Sequence, residues 1–456
     1  MPAILPILLA LSPTLPTTTA RQLYRIVIAM LAMSGRITQL GISRFSEKGG
    51  SYRTIQRFFH TEIDWLAVKW QFFFLFVYDP SGVYLLVGDE SVLTKSGDQT
   101  FGIDRFFSAL YDKVVSGLAF FSFALVHVGR REAYSLSNVQ VLRSEEEKQK
   151  AKKRPSKGKP KKQTKKPVRP RGRPKGSKNK NKSQQPLSPE LLRIQVQLKK
   201  VLGWIKKKMA VAYCVLDGHF GNHLAAQMVR ECDLHLISKM RSDAALYQEL
   251  TPLQRQLSPR RKYGDRLDFA QMPTAWLRSE QTEEGYLTQV YQGRCRHRQF
   301  AHLLNIVVIV KTHLASGRVG HVVLFSTDLF LTAETLITYY SCRFQIEFTF
   351  RDAKQYFGLE DFMAVSKTSV ANAISLALFM VNFAHFLLRT LRQEMPDAGI
   401  LDLKSWYRGR FYASRMLKML PEKPETIISE RLLQQMGRLG CIHKTASNAQ
   451  EGKMAA

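Results

Sequence analysis

Between residues 148 and 182 the chain contains no aspartate or glutamate, while lysine, arginine, proline, glycine, serine and asparagine dominate. No other stretch limits the possible folds so sharply. Such a segment cannot bury enough apolar surface to offset the entropy of ordering it, so it is expected to be disordered without a partner. Any core must then be completed from sequence on both sides, in a fold that tolerates a long interruption. The chain has 456 residues, room for roughly two to four domains and a large core. Its apolar fraction of 45% is ordinary for a globular protein, but its net charge of +31 is not. An excess of that size points to a polyanion partner, nucleic acid first.

Inside the basic linker (141–186), RPRGRPKGSK (169–178) resembles an AT-hook. Arg171 and Arg173 flank Gly172, Pro174 extends the backbone, and both guanidinium groups suit the narrow, negative minor groove of A·T tracts. The alternative is a solvated linker that holds DNA without reading it. Five scattered cysteines with no CxxC pair argue for a reducing cytoplasm and against a zinc ribbon. Cys295 and His297 lack a second ligand pair at zinc-finger spacing. The first twenty residues look faintly like a signal peptide, but they lack a positive n-region and prolines at 6, 13 and 16 interrupt the apolar run. WQFFFLFVY and LALFMVNFAHFLL fall short of the ~18–20 residues that span a bilayer, so they read as core and no membrane is expected.

Along the chain, 1–75 reads as an N-terminal helical DNA-binding domain. Ser51 is placed to cap a helix bearing Tyr52, Arg53, Thr54, Gln56 and Arg57, in a helix-turn-helix-like unit. Arg53 and Arg57 would face DNA, while Ile55, Phe58 and Phe59 would hold the helix to its own domain. VYLLVGDESVLTKSG (83–97) has the pattern of a buried central strand delivering Asp89 at its tip, and 116–130 reads as a second strand antiparallel to it. Beyond the linker, 187–209 is an amphipathic helix with Ser188 as N-cap and Pro189 in its first turn. AVAYCVLDGHFGN (210–222) is a strand ending at Asp217, then a helix follows, then a strand at 234–241. Residues 76–140 and 187–241 would thus form the core, 242–332 a β-rich insertion, and 363–456 a helical C-terminal region and tail.

The remaining piece, 333–362, contains YYSCRFQIEFTFRDAKQYFGLEDF (339–362). As one helix, it would align Tyr340, Arg343, Glu347, Arg351 and Lys354 on one face about 20 Å long. Ile346, Phe350, Ala353 and Phe357 form a second stripe that can meet a core. Such a charged face is often only solvated and laced with i,i+4 salt links. The spacing Tyr-x2-Arg-x3-Glu-x6-Lys, however, resembles the signature helix of bacterial DDE transposases of the insertion-sequence-four family.

That resemblance implies an α/β, ribonuclease H-like mixed sheet with flanking helices, a β-rich insertion before the last catalytic helix, and an N-terminal helical DNA-binding domain. It implies that Asp89 (in GDESVLTKSG), Asp217 (in LDGHFGN) and Glu347 bind metal and are catalytic. Three hard oxygen donors suit Mg²⁺, with Mn²⁺ able to substitute, and two such ions can activate a nucleophile and stabilise a leaving oxygen. Glu90 rivals Asp89, because strand alternation sends only one of the two toward the metals; the resemblance favours Asp89. Tyr340, Arg343 and Lys354 are expected on phosphates, with Arg351 and Lys95 as further DNA contacts. Phe220 stands near the place where some members stack a tryptophan on a flipped base. The implied function is cut-and-paste transposition: cleavage at terminal inverted repeats, then strand transfer into target DNA. Implied too are double-stranded DNA partners, a homodimer on paired ends, no nucleotide cofactor, and a nucleoid-associated place in a bacterial cytoplasm. The alternatives are a nuclease without a transfer step and a non-catalytic AT-rich DNA-binding protein derived from a transposase.

Overall fold

The computed structural model describes residues 2–46, 49–108, 111–145, 147, 182, 184–258, 261–422 and 424–443. The AT-hook-like stretch, with Arg171 and Arg173, lies outside the described residues.

Five helices open the chain: α1 (Ile4–Leu9), α2 (Thr17–Ala32), α3 (Gln39–Phe45), α4 (Tyr52–His60) and α5 (Trp65–Phe76). The proline-broken apolar start is core material, since Ile4, Ile7, Leu8, Leu11 and Leu15 are all buried. Helix α4 starts where Ser51 accepts a hydrogen bond from the Thr54 amide, satisfying one of the free amides of a first turn. Its Ile55, Phe58 and Phe59 are buried and its Arg53, Gln56 and Arg57 are exposed, as the pattern predicts.

The sheet begins with β1 (Tyr84–Thr94), β2 (Asp104–Ser108), β3 (Lys113–His127) and β4 (Glu132–Gln140). After the basic segment come α6 (Pro189–Ile205), β5 (Tyr213–Leu216), α7 (His223–Arg230) and β6 (His235–Met240). Strand β3 runs antiparallel to β1, β4 runs antiparallel to β3, and β1, β5 and β6 lie parallel in that order. This is a ribonuclease H-like arrangement. Ser188 caps α6 and Pro189 occupies its first turn, where its missing amide costs nothing.

Residues 242–332 build β7 (Leu246–Gln248), α8 (Pro252–Leu257), β8 (Leu277–Glu283), β9 (Tyr286–His297), β10 (Leu304–His313) and β11 (Val319–Ser326). They continue the same sheet, because β11 pairs antiparallel with β6 from Val323↔Met240 to Ser326↔Ile237. Eleven described strands therefore form one mixed, mostly antiparallel sheet.

Helices α9 (Ala333–Cys342), α10 (Phe344–Tyr356), α11 (Lys367–Glu394), α12 (Ile400–Met419) and α13 (Thr426–Arg438) follow. The two faces of β3 show how the layers stack. Phe120 meets Phe350 of α10 edge-to-face at 5.5 Å, whereas the next residue, Phe121, packs on the opposite side against Phe220 at 5.8 Å. Helix α11 is long and apolar enough to cross a bilayer, which corrects the expectation that no run reaches that length. Within the protein, however, 83% of its apolar window is buried. Two buried asparagines on it act as clips. Asn372 accepts from Trp65 Nε1 at 2.8 Å and donates to the carbonyls of Phe59 and Thr61, each at 2.8 Å. Asn382 exchanges a pair of hydrogen bonds with the Ser135 backbone on β4. Beside that strand, Lys69 of α5 is fully buried, and burial draws its ammonium down to about 7. The Asn138 amide, oriented with its oxygen inward, accepts from it.

Candidate active site

The parallel pair β1 and β5 sets the site. Their register is Leu86↔Cys214, Val87↔Val215 and Gly88↔Leu216, after which β5 stops. Asp89 and Asp217 are the next residues on each strand, so two acids 128 positions apart emerge side by side. Close approach here depends on Gly88, where a Cβ would lie 2.8 Å from Leu216 Cδ2 and 2.9 Å from Phe121 Cζ. Asp217 is held from both sides. Its Oδ1 accepts from the His219 amide at 3.1 Å, and its carbonyl accepts from buried Ser238 Oγ at 2.7 Å.

Asp89 is not at a strand tip as expected. Strand β1 continues to Thr94 because β3 goes on pairing with it, up to Thr94↔Gly117, after β5 has ended. The acid sits in mid-strand, at the place where one neighbour stops.

The stretch expected to be one helix is two. At Arg343 the bonding shortens to three-residue steps, from the Arg343 amide to the Tyr340 carbonyl and from the Ile346 amide to the Arg343 carbonyl. Tyr340, Arg343 and Glu347 still meet on one face, but at Arg343 that face is turned inward against β1. The Arg343 side chain is only 9% exposed and bridges two acids, Nη1 lying 3.0 Å from Asp89 Oδ2 and Nη2 2.6 Å from Glu347 Oε1. Its Nε is buried without a partner. Asp89, Asp217 and Glu347 thus line one cleft of about 790 Å³. Burial pushes the Asp89 carboxyl up to about 7, against the pull of Arg343.

Among the described residues, no three Asp, Glu, His or Cys side chains stand close enough to enclose an ion as they are. The donor chemistry nevertheless fits a hard divalent cation: carboxylate oxygens only, two of them already sharing one positive charge. Asp89, Asp217 and Glu347 are the residues that would hold it.

Several expected DNA contacts are committed elsewhere. Arg343 is buried in the ion pairs just described, which removes it from the surface. Lys354 Nζ donates to the Val92 carbonyl at 3.2 Å and pairs with Glu360 at 3.1 Å. Lys95 Nζ donates to the carbonyls of Glu360 and Phe362, each at 2.8 Å, and lies 3.7 Å from the centre of the Phe362 ring. Its burial lowers its pKa to about 8. Both half-buried lysines pin the end of β1 to the turn after α10. Phe220 is 4% exposed and wedged against Phe121, so it is not presented to a base; the exposed ring at that corner is its neighbour His219. Tyr340 is half-buried beside Arg343, and Arg351 is 55% exposed, with its guanidinium on the adjacent Asp352.

The cleft has a second wall that the sequence reading missed. Glu190, in the first turn of α6, accepts from His219 Nε2 at 3.2 Å and holds its imidazole above the usual range. Arg193, one turn on, pairs with Glu147 at 2.9 Å. Glu90 lines the same cleft, where burial and then Glu190 raise its carboxyl. Strand alternation had set Glu90 apart from Asp89; a cleft that wraps the strand's edge reaches both. Only the Ser-Pro-Glu helix start marked this wall in the sequence, and nothing there tied it to Asp217.

A family model described as a DDE superfamily endonuclease matches residues 10–299. The chain belongs to the DDE superfamily of endonucleases. No curated protein matches it. The match takes in Asp89 and Asp217 of this DDE protein and stops short of Glu347, so the third acid rests on its position across Arg343. Membership brings a DNA substrate and divalent-metal chemistry.

Proposed function

We propose that this DDE protein is a transposase of the insertion-sequence-four type, cutting DNA at terminal inverted repeats and joining the freed ends to target DNA. One observation carries the reading: Asp89 and Asp217 leave adjoining parallel strands side by side, with Glu347 joined to Asp89 through one guanidinium. Asp89, Asp217 and Glu347 would hold Mg²⁺, or Mn²⁺ in its place, and the bound ions would supply an activated nucleophile and a stabilised leaving oxygen. Asp89 and Asp217 ride on paired strands and so keep their spacing. Glu347 rides on α10 and closes on them as Arg343 gives up its bridge. Arg343, once released, is well shaped to take a phosphodiester with its planar donor fork, and Tyr340 lies beside it, with the exposed Arg351 two turns further along the helix. Arg53 and Arg57 on the exposed side of α4 suit the reading of end DNA. Two copies on paired ends, no nucleotide cofactor and a place on the bacterial nucleoid complete the proposal.

Glu347→Gln keeps the size of the side chain and removes its charge. It should abolish Mg²⁺-dependent nicking of end-containing DNA and the joining of 3′ ends to a plasmid, while gel-shift binding stays within about twofold. A variant that cuts as well as the parent would sink the assignment. If the parent binds A·T-rich duplex and never cuts with Mg²⁺ or Mn²⁺, the protein is instead a non-catalytic DNA binder.

A further inference from the structure

The far edge of the sheet carries a second basic feature, remote in sequence from every acid of the cleft. Arg294 and Arg296 alternate along the end of β9 and are exposed, while Cys295 between them is buried; Arg298 continues the alternation just past the strand. Tyr247 on β7 is in register with Arg296, and Arg266 bridges to Tyr247 from its other side. The Arg298 guanidinium lies 5.1 Å from the centre of the Tyr247 ring, and that of Arg294 lies 5.6 Å from the ring of Phe330. Phe330 is 87% exposed.

Two facts bear on this face. Some surface arginines, such as Arg36, Arg130, Arg193, Arg241 and Arg261, sit on carboxylates, while others, such as Arg53 and Arg57, do not. Among the described residues, no carboxylate pairs with Arg266, Arg294, Arg296 or Arg298, and the exposed Glu249, two residues past Tyr247, engages none of them. The second fact is the bare phenyl ring. A ring in water with a guanidinium beside it gains little for the fold, but it offers a flat partner to another flat, electron-rich surface.

We propose that this face binds single-stranded DNA, with bases stacking on Phe330 and Tyr247 and phosphates meeting Arg266, Arg294 and Arg296. Alternate side chains on a strand stand about 7 Å apart, close to the step between successive phosphates of an extended strand. A duplex keeps its base faces inside its own stack and leaves Phe330 without a partner, which favours the single strand. The location is apt for a strand freed beside a cut. Helix α9 begins three residues after Phe330 and ends next to Arg343, one helix length of about 15 Å away. Binding here does not require the cleavage chemistry, so it can fail without touching the Glu347 test, and the reverse holds too.

The test is fluorescence anisotropy on the full chain in EDTA, with labelled oligo(dT) of about 15 nucleotides and a mixed-sequence duplex of equal length. Phe330→Ala should weaken oligo(dT) binding about fivefold or more, leave the salt slope unchanged and hardly alter duplex binding, while Phe330→Trp should retain the parent affinity. Arg294→Ala with Arg296→Ala should also weaken it and flatten the log–log salt slope by about 1.4. All three side chains are exposed, so unchanged thermal unfolding checks the fold. Oligo(dT) affinity unaffected by Phe330→Ala, or an equal loss on oligo(dT) and duplex, would overturn the proposal.

Discussion

A single guanidinium decides the resting state of the cleft. Arg343 keeps Asp89 and Glu347 together at the cost of its own exposure, with Nε left unpaired in the interior. Removing one partner of such a buried arrangement leaves the others uncompensated. Arg343→Ala should therefore lower the unfolding free energy by about 3 kcal/mol in EDTA. Millimolar Mg²⁺ should then raise the melting temperature of the variant more than that of the parent, because a divalent ion meets the same two carboxylates. Calorimetry with and without Mg²⁺ reads this directly, and equal shifts would mean that the guanidinium and the ion do not share a place. The inward turn of Arg343 could not be read from spacing. Helical periodicity placed it on an outer face with Lys354, and what turns it is Asp89, 254 residues away. For Lys95 and Lys354, too, sequence shows a cation and not the carbonyl it donates to.

At the scale of elements, caps and the end of β5 were legible while the length of β1 was not. Ser51 and Ser188 start α4 and α6 as their local chemistry requires, and Asp217 ends β5 because it caps the next turn. Those signals span a few residues. The length of β1 is set instead by its pairing with β3, which comes after an intervening strand, β2, and this moves Asp89 from tip to middle. Helix α5 holds a further consequence. Lys69 titrates at about 7 when folded and near 10.4 when unfolded, so between those values the unfolded chain holds more protons and stability rises with pH. Lys404 of α12, donating to the Met30 and Tyr356 carbonyls and also lowered to about 7 by burial, adds in the same direction. Urea denaturation should show greater stability at pH 9.5 than at pH 7, and Lys69→Met should remove part of that rise while stabilising the protein at pH 7 by a few kcal/mol. A variant with the full pH slope would mean that its ammonium is not the buried proton donor.

For the whole molecule, charge and core are laid out separately. The basic segment 148–182 joins β4 to α6, two elements already fixed to the sheet, so its removal should leave folding intact. Deleting it should weaken affinity for any duplex and flatten the dependence on salt, since fewer phosphates are neutralised. An unchanged slope would make the segment a bystander. The ribonuclease H-like centre was legible from the order of apolar runs and acids. That the β-rich region extends the same sheet was not, because the β6–β11 pairing joins strands some 80 residues apart and leaves no periodic trace.

Helix α11 gives the chain a particular order of completion. It lies C-terminal to all three acids, yet its Asn372 closes the loop after α4 and its Asn382 seals β4. Translation that terminated after residue 347 but before this helix would release a polypeptide possessing every proposed metal ligand and no finished interior to hold them. Fragments of this gene should therefore be harmless to the chromosome that encodes them.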